Sequence, residues 1–254
     1  GNAGTDCAPI IETYANSSAD DMPMPVPVVM PHETAALGMA HGYYRSTGKP
    51  QAAMVHVNVG LANALMGVIN AASDNVPLFM MAGRTPLTEF DRVGARMTPI
   101  QYGQEMRDQG GLVRESTKWD YELRYPEQTA NLVDRGIAIA MTAPRGPVYL
   151  GLPREPLADA WPEDMPIDAP VQSTPTLASP DPDAIQQAAA LLSKAKNPLI
   201  ICQRSDPEGS LGDALLNFVE DQAIPVAEPF AIQNVLATAH PMHGGFNLGP
   251  WLDD

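Results

Sequence analysis

The hydrophobic and polar positions of the first 157 residues switch repeatedly between short apolar runs and helical spacing. Glycine and proline lie at most of the switches, where they end strands and helices. The order predicted is strand, helix, strand, helix, strand, in residues 26–30, 33–46, 52–57, 61–72 and 78–82. Because strands that alternate with helices over short connections form parallel sheets, we predict an α/β fold with a parallel sheet flanked by helices.

The second half of the chain predicts fewer regular elements. Residues 84–124 are irregular and rich in aromatic and cationic side chains, which is typical of a functional or interfacial loop. A helix at 127–141 and a strand at 148–152 then complete a first domain of residues 1–157. Residues 158–182 are dense in proline, aspartate and serine, as in linkers. Residues 183–254 hold too few elements for a complete domain: two helices, 183–194 and 211–221, and strands at 199–202 and near Val226.

Composition narrows the class of protein. The chain has 254 residues, is 44% hydrophobic and carries a formal charge of −15, so it can bury a core but offers no cationic surface for nucleic acid or an anionic membrane. It has no apolar run of membrane-spanning length. Cys7 and Cys202 lie far apart, which favours a reduced, cytoplasmic protein. His240 and His243 lack nearby ligand residues, so we interpret them as a loop pair and predict no metal ligands.

Polar residues follow three of the predicted strands. Glu33 follows the first, His56 lies at the end of the second, and Gly83 and Arg84 follow the third. The carboxyl ends of parallel strands share one edge of the sheet, where open α/β sheets bind ligands. Taken alone, Glu33 could simply stabilise the start of its helix, and His56 could be a structural histidine at a strand end.

The order of these residues and of their neighbours is informative. After the pair His32-Glu33 come Gly60, Asn63 and Gly83, with further matches at 42–43, 47–50, 74, 77, 104–105, 118–119 and 144–148. Together they resemble the pyrimidine-binding domain of thiamine diphosphate enzymes that act on 2-oxo acids, the acetolactate synthase and benzoylformate decarboxylase group. The resemblance covers most of residues 1–156 and continues weakly through 182–228, which implies part of a central domain.

The resemblance implies a role for each matched residue. Glu33 would hydrogen-bond the ring nitrogen of the cofactor's aminopyrimidine and so promote loss of the thiazolium proton; a pKa raised by burial would help it share a proton. His56 would relay protons as a second catalytic residue. The resemblance places the other site residues as follows: cofactor contacts at Asn2, Ala3, Gly4, Gly60 and Asn63, and substrate contacts at Thr5 and Gln104.

Two subfamilies fit different parts of the chain. The turn Gly1 to Thr5 and His56 resemble benzoylformate decarboxylases, whereas Gln104-Glu105 and Lys118-Trp119 fit acetolactate synthases better. We therefore expect the N-terminal portion of an acetolactate synthase-like decarboxylase or carboligase, with a non-ligating, benzoylformate decarboxylase-like enzyme as the alternative. A non-catalytic α/β binding or assembly module is the alternative of another class.

The resemblance also predicts partners. Mg²⁺ would be held by a Gly-Asp-Gly motif in a domain absent from this chain, and FAD is unsupported because residues 202–206 replace a glycine-rich turn. The chain begins in a glycine-rich turn and ends in a loop-like segment, so we expect a fragment that is inactive alone. The pyrimidine domain would pack on a second subunit of a homodimer or homotetramer, which predicts exposed apolar surface on residues 33–40 and 61–69.

Overall fold

Four parallel strands form the sheet of the N-terminal unit. The computed structural model describes residues 7–17, 24–166, 171–206 and 208–249 and divides the chain into two units, Gly1–Pro175 and Thr176–Asp254. The strands of the first unit lie in the order β1-β2-β4-β3 and all neighbours are parallel. Their bounds are β1 Gln51–Val55, β2 Leu78–Arg84, β3 Asp120–Glu122 and β4 Val148–Pro153.

Helices occupy the connections between these strands, as parallel pairing requires. Three short 3₁₀ turns lie between β2 and the helix before β4, at Gly110–Leu112, Arg114–Ser116 and Pro126–Gln128. The α-helices of the unit are α1 Ala8–Asn16, α2 Glu33–Thr47, α3 Val57–Ser73, α4 Ile100–Gly103, α5 Thr129–Met141 and α6 Arg154–Ala158.

The sheet buries apolar side chains on both faces. Because side chains alternate along a strand, Leu78 and Met80 of β2 face α2 and α3, whereas Phe79 faces the layer that contains α5. In β4, Tyr149 joins the first of these clusters and Leu150 the second. The predicted α/β class, a parallel sheet flanked by helices, is therefore confirmed.

The first predicted strand is wrong. Residues 24–30 have no strand or helix in the structure, and Val26 and Val29 are 86% and 91% exposed. The sequence explains the difference, since Pro25 and Pro27 remove backbone donors from a stretch that is otherwise apolar enough for a strand. Apolar composition alone therefore overestimated the strand content of this segment.

The second predicted strand ends earlier than expected. The run 52–57 is a strand only as far as Val55, and α3 already begins at Val57 instead of after Gly60. His56 is consequently the N-cap residue of α3 rather than a strand residue. Four short elements were not predicted at all: α1, α4, β3 and α6.

The second unit contains a two-stranded parallel sheet and two helices. The predicted helices and strands are present, with shorter strands than expected: α7 Pro182–Lys194, β5 Ile200–Ile201, α8 Ser210–Gln222 and β6 Val226–Ala227. Val219, Val226 and Leu236 form its buried cluster. Across both units, none of the helices in the described ranges is both long and apolar enough to cross a lipid bilayer.

Candidate functional site

Glu33 is the first residue of α2 and is only 9% exposed. The residue before it, His32, is the N-cap, and its Nδ1 accepts a hydrogen bond of 3.2 Å from the backbone N–H of Thr34. This cap begins the helix at Glu33 and places the carboxylate in the first turn, where the helix dipole favours a negative charge. The sequence therefore places a buried acid at a helix start, as predicted.

The first turns of α3 surround the Glu33 carboxylate. Asn63 donates from Nδ2 to Oε2 of Glu33 at 3.3 Å, and Thr34 donates from Oγ1 to the carbonyl oxygen of Asn63 at 3.1 Å. Gly60 lies beside the other carboxylate oxygen, because a Cβ on Gly60 would be 3.4 Å from Oε1. Glu33, Gly60 and Asn63, which were predicted to contact the cofactor, thus lie together.

His56 lies at the start of the same helix. Its carbonyl oxygen accepts a hydrogen bond of 2.7 Å from the backbone N–H of Gly60, so one helical turn connects it to the Glu33 neighbourhood. Its ring nitrogen Nε2 is 3.3 Å from Nε2 of Gln104. The histidine that fits one subfamily and the glutamine that fits the other are therefore in contact.

The backbone between His56 and the helix is strained. Val57 has a φ of +37°, although it is β-branched and fully buried. A β-branched residue rarely adopts a positive φ, and such conformations persist mainly where surrounding packing enforces them, often at functional sites. The strain lies directly beside His56, at the turn from β1 into α3.

The charge state of Glu33 differs from the expectation. A hydrogen bond from its own backbone N–H lowers the pKa of Glu33 below its ordinary value, and this effect together with the bond from Asn63 outweighs burial, which raises the pKa. The raised pKa that would help Glu33 share a proton is therefore not found in the chain by itself. The carboxylate has about four lone-pair sites, so these hydrogen bonds leave it able to share a proton with a ligand nitrogen.

The end of the third predicted strand does not add a free cation to this site. Arg84 forms an ion pair with Glu122 of β3 and donates from Nη2 to the carbonyl oxygen of Met106 at 3.1 Å. Gly83 accepts a bond of 2.9 Å from Nε2 of the buried Gln109. Both residues therefore connect the sheet edge to the loop after β2.

Several predicted site residues lie outside the described residues: Asn2, Ala3, Gly4 and Thr5. Among the described part of the chain, no cluster of three or more His, Cys, Asp or Glu side chains has the arrangement of a metal site. His240 pairs with Glu220 at 3.1 Å and His243 with the buried Glu228 at 3.0 Å.

An apolar stripe lies on the outer face of α2 and α3. Met39 and Tyr43 of α2 are 48% and 45% exposed, and Val59 and Met66 of α3 are 55% and 60% exposed. These residues recur at helical spacing, so each helix presents one apolar edge to the surface. Met39 and Met66 lie within the ranges 33–40 and 61–69, where exposed apolar residues were predicted, whereas Tyr43 and Val59 lie just outside them.

Glu155 is a buried acid that sequence reasoning missed. It follows β4 and is 4% exposed, and its Oε1 accepts hydrogen bonds from the backbone N–H groups of Leu87 and Thr88, both at 2.7 Å. Its position just after an apolar strand is the same signal that pointed to Glu33. Here the acid holds the loop that follows β2.

Comparisons with known proteins agree with this geometry. Residues 1–111 match the family described as "Thiamine pyrophosphate enzyme, N-terminal TPP binding domain". The mitochondrial acetolactate synthase catalytic subunit of Aspergillus candidus is 27% identical over 236 residues, which cover 89% of this chain and 32% of that protein. The benzoylformate decarboxylase of Pseudomonas aeruginosa is 26% identical over 170 residues, which cover 67% of this chain and 30% of that protein. The chain therefore spans about a third of the length of these relatives.

Solved structures give the same result. A thiamin diphosphate-dependent enzyme from Mycobacterium smegmatis matches with a TM-score of 0.77 at 25% identity, over 95% of this chain and 43% of that one. The thiamine diphosphate-dependent 4-hydroxybenzoylformate decarboxylase of Rhodococcus jostii RHA1 matches over the same shares with a TM-score of 0.73. The fold, the buried acid at the start of α2 and the matched sequence agree: residues 1–111 match the N-terminal TPP binding domain of thiamine pyrophosphate enzymes, and the chain as a whole is similar to thiamine diphosphate-dependent enzymes.

Proposed function

We propose that this chain is the N-terminal portion of a thiamine diphosphate-dependent 2-oxo acid decarboxylase or carboligase, in which Glu33 binds the aminopyrimidine of the cofactor. The observation that carries the proposal is the buried Glu33 carboxylate, held by Asn63 at 3.3 Å and covered by a residue without a side chain, Gly60.

The residues present suit such a cofactor. Bound thiamine diphosphate supplies an acidic thiazolium carbon that adds to a 2-oxo acid and accepts the electron pair released by decarboxylation. Glu33 is buried, and its carboxylate has lone-pair sites left with which to share a proton with a ring nitrogen. Gly60 allows the carboxylate to lie close to the backbone of α3.

His56 is the proposed proton relay toward the substrate. An imidazole ring can both donate and accept a proton, which suits His56 for proton transfer, and Gln104 at 3.3 Å restricts the ring orientation. Gln104 itself is proposed to contact the substrate. This arrangement supports a second candidate, a benzoylformate decarboxylase-like enzyme that releases an aldehyde without ligation, because His56 is the residue that fits that group.

The complete enzyme is proposed to be a homodimer or homotetramer, with Mg²⁺ held by a further domain. The support for the oligomer is the exposed apolar stripe of Met39, Tyr43, Val59 and Met66 on α2 and α3. Several exposed apolar side chains on adjacent helices are typical of surfaces that are covered in an assembly.

The test uses the full-length enzyme and exchange of the thiazolium proton of bound cofactor with deuterium. Glu33→Gln keeps the shape of the side chain but cannot supply a proton, so we expect exchange to slow by about 10²- to 10⁴-fold. The matched control is Glu115→Gln, which changes an exposed carboxylate and should leave exchange unchanged. Unimpaired exchange in Glu33→Gln would overturn the proposal.

Product analysis separates the two candidates. The wild-type enzyme is supplied with benzoylformate and with aliphatic 2-oxo acids, and the products are identified by chromatography. Release of the aldehyde alone supports the non-ligating candidate, whereas a hydroxyketone formed from two substrate molecules supports a carboligase.

A further inference from the structure

Arg96 is a buried cation inside the loop that follows β2. Only 6% of its side chain is exposed, yet it lies in a segment whose other residues are mostly at the surface. Its Nε donates to the carbonyl oxygen of Pro86 at 3.0 Å, and its guanidinium lies over the ring of Tyr102, 4.5 Å from the centroid. A guanidinium is rarely buried without paired acceptors, so these contacts decide the conformation of the loop.

The strongest partner of Arg96 is Glu105. Nη2 of Arg96 is 2.5 Å from Oε2 of Glu105, and this hydrogen bond raises the pKa of Arg96. Glu89 lies on the same guanidinium, with Oε1 3.5 Å from Nη1. One cation therefore joins two parts of the loop, since Glu89 lies near its beginning and Glu105 lies just after α4.

Glu105 directly follows Gln104, the residue in contact with His56. The short helix α4 lies just before this pair, and the backbone N–H of Gln104 donates to the carbonyl oxygen of Ile100 at 3.1 Å. The buried Gln101 fixes the start of α4, because its Oε1 accepts from the backbone N–H of Met97 at 2.8 Å. The position of Gln104 is thus set by α4 on one side and by the Arg96–Glu105 pair on the other.

The beginning of the loop is attached to the core. Besides the two backbone bonds from Leu87 and Thr88, Oε1 of Glu155 accepts from Oγ1 of Thr88 at 2.8 Å. Gly94, with a φ of +87°, packs so closely that a Cβ there would be 3.1 Å from Cα of Glu155. The segment around Arg96 is therefore held by α6, and the ion pair with Arg96 in turn restricts the position of Glu105.

We infer that Arg96 is a positioning residue, which holds Glu105 and thereby keeps Gln104 against His56. This inference rests on the proposed function, because it assigns Arg96 to the proton relay of that same site. None of the contacts described for Arg96 involves Glu33, Gly60 or Asn63. Loss of the thiazolium proton, which depends on Glu33, therefore does not require Arg96.

The experiment is a double-mutant cycle in the full-length enzyme. Arg96→Gln and Gln104→Ala are each expected to lower kcat for benzoylformate, or for the fastest 2-oxo acid found, by about 10- to 100-fold, since displacement of a reactive group by 1 Å can cost that much. The double variant should be no slower than Gln104→Ala, because Arg96 acts only through Gln104. Exchange of the thiazolium proton should stay within about twofold of wild type in all three.

Two further variants distinguish a specific loss of kcat from a loss caused by unfolding. Glu105→Gln removes the charge of the partner that is 45% exposed and leaves Arg96 in place, so it should reproduce the loss of kcat with a smaller loss of melting temperature than Arg96→Gln. Arg114→Gln is the matched control: Arg114 also binds two carboxylates, of Asp108 and Asp120, but it is 48% exposed and leads to no site residue. It should leave kcat unchanged.

The outcomes distinguish the inference from the proposed function. If wild-type enzyme exchanges the thiazolium proton but the losses from Arg96→Gln and Gln104→Ala multiply in the double variant, Arg96 has a separate role and the inference alone fails. The same holds if exchange falls together with kcat in Arg96→Gln. If wild-type enzyme shows no exchange, both the proposed function and the inference are overturned.

Discussion

Gly60→Ala tests how closely the Glu33 carboxylate approaches α3. The added Cβ would lie 3.1 Å from Cβ of Val55, a contact tighter than side chains normally make, and 3.4 Å from Oε1 of Glu33, which is ordinary contact. Crowding in a packed core costs about 1–3 kcal/mol, and the better helix propensity of alanine returns about 1 kcal/mol. We therefore expect a loss of about 0–2 kcal/mol in the free energy of unfolding.

The functional loss should exceed what this stability change explains. Val55 belongs to β1 and is held by the sheet, so the adjustment falls on α3 and on the carboxylate beside it. A displaced Glu33 loses its geometry toward a ring nitrogen, and misplacement of this size can cost up to about 100-fold in rate. Exchange of the thiazolium proton in full-length enzyme measures this loss directly.

Gly136→Ala in α5 is the matched control. There the new Cβ would lie 2.4 Å from Cε2 of Phe79, in the core cluster that does not include α2 or α3. We expect a larger loss of stability, near 3 kcal/mol from overpacking, measured by urea unfolding. If Gly136→Ala slows exchange as much as Gly60→Ala does, the effect of Gly60 is general destabilisation and the reasoning about the carboxylate is refuted.

Three further predictions concern charge and proton transfer. The fold lowers the pKa of Glu33, so its ionised carboxylate stabilises the protein above pH 4.5, and this contribution is lost as the pH falls through the lowered pKa. The difference in the free energy of unfolding between wild type and Glu33→Gln should therefore shrink between pH 7 and pH 3 in urea titrations. His56→Ala should lower kcat by about 10²- to 10⁴-fold while exchange of the thiazolium proton stays normal, and equal losses in both assays would contradict the relay role. Glu228→Ala should destabilise the second unit by about 1–3 kcal/mol in calorimetry, because Glu228 is fully buried and its removal leaves the buried backbone N–H of Val235 without its acceptor; a loss below about 0.5 kcal/mol would show that this hydrogen bond is unimportant.

The sheet was predictable where its strands are continuous apolar runs. Residues 78–82 and 148–152 are buried on both faces, and such runs bounded by proline and glycine have few alternatives to a central strand. The run 26–30 is equally apolar, but its prolines cannot join a ladder and its valines remain exposed. The three-residue strand β3 was missed because so short an element has no period to detect.

The candidate site, like the sheet, was predictable only in part. Glu33, Gly60 and Asn63 were predicted through the resemblance, and they lie together because two helix starts meet. The contact between His56 and Gln104 joins residues far apart in sequence through a loop with no period, so its conformation depends on single contacts such as those of Arg96. No local pattern predicts which carboxylate a buried guanidinium will choose.

The backbone at Val57 provides a last test of how this site is built. In a regular helix, glycine is about 1 kcal/mol less stable than alanine. At a positive φ the order reverses, because alanine meets the steric cost of the left-handed region, about 1–2 kcal/mol, and glycine does not. Since Val57 has a φ of +37°, we expect Val57→Gly to be as stable as Val57→Ala or more so, although both lose the same buried packing at that side chain. Urea unfolding of the two variants measures the difference, and a glycine variant about 1 kcal/mol less stable than the alanine variant would mean that α3 begins without strain and that His56 is not held by it.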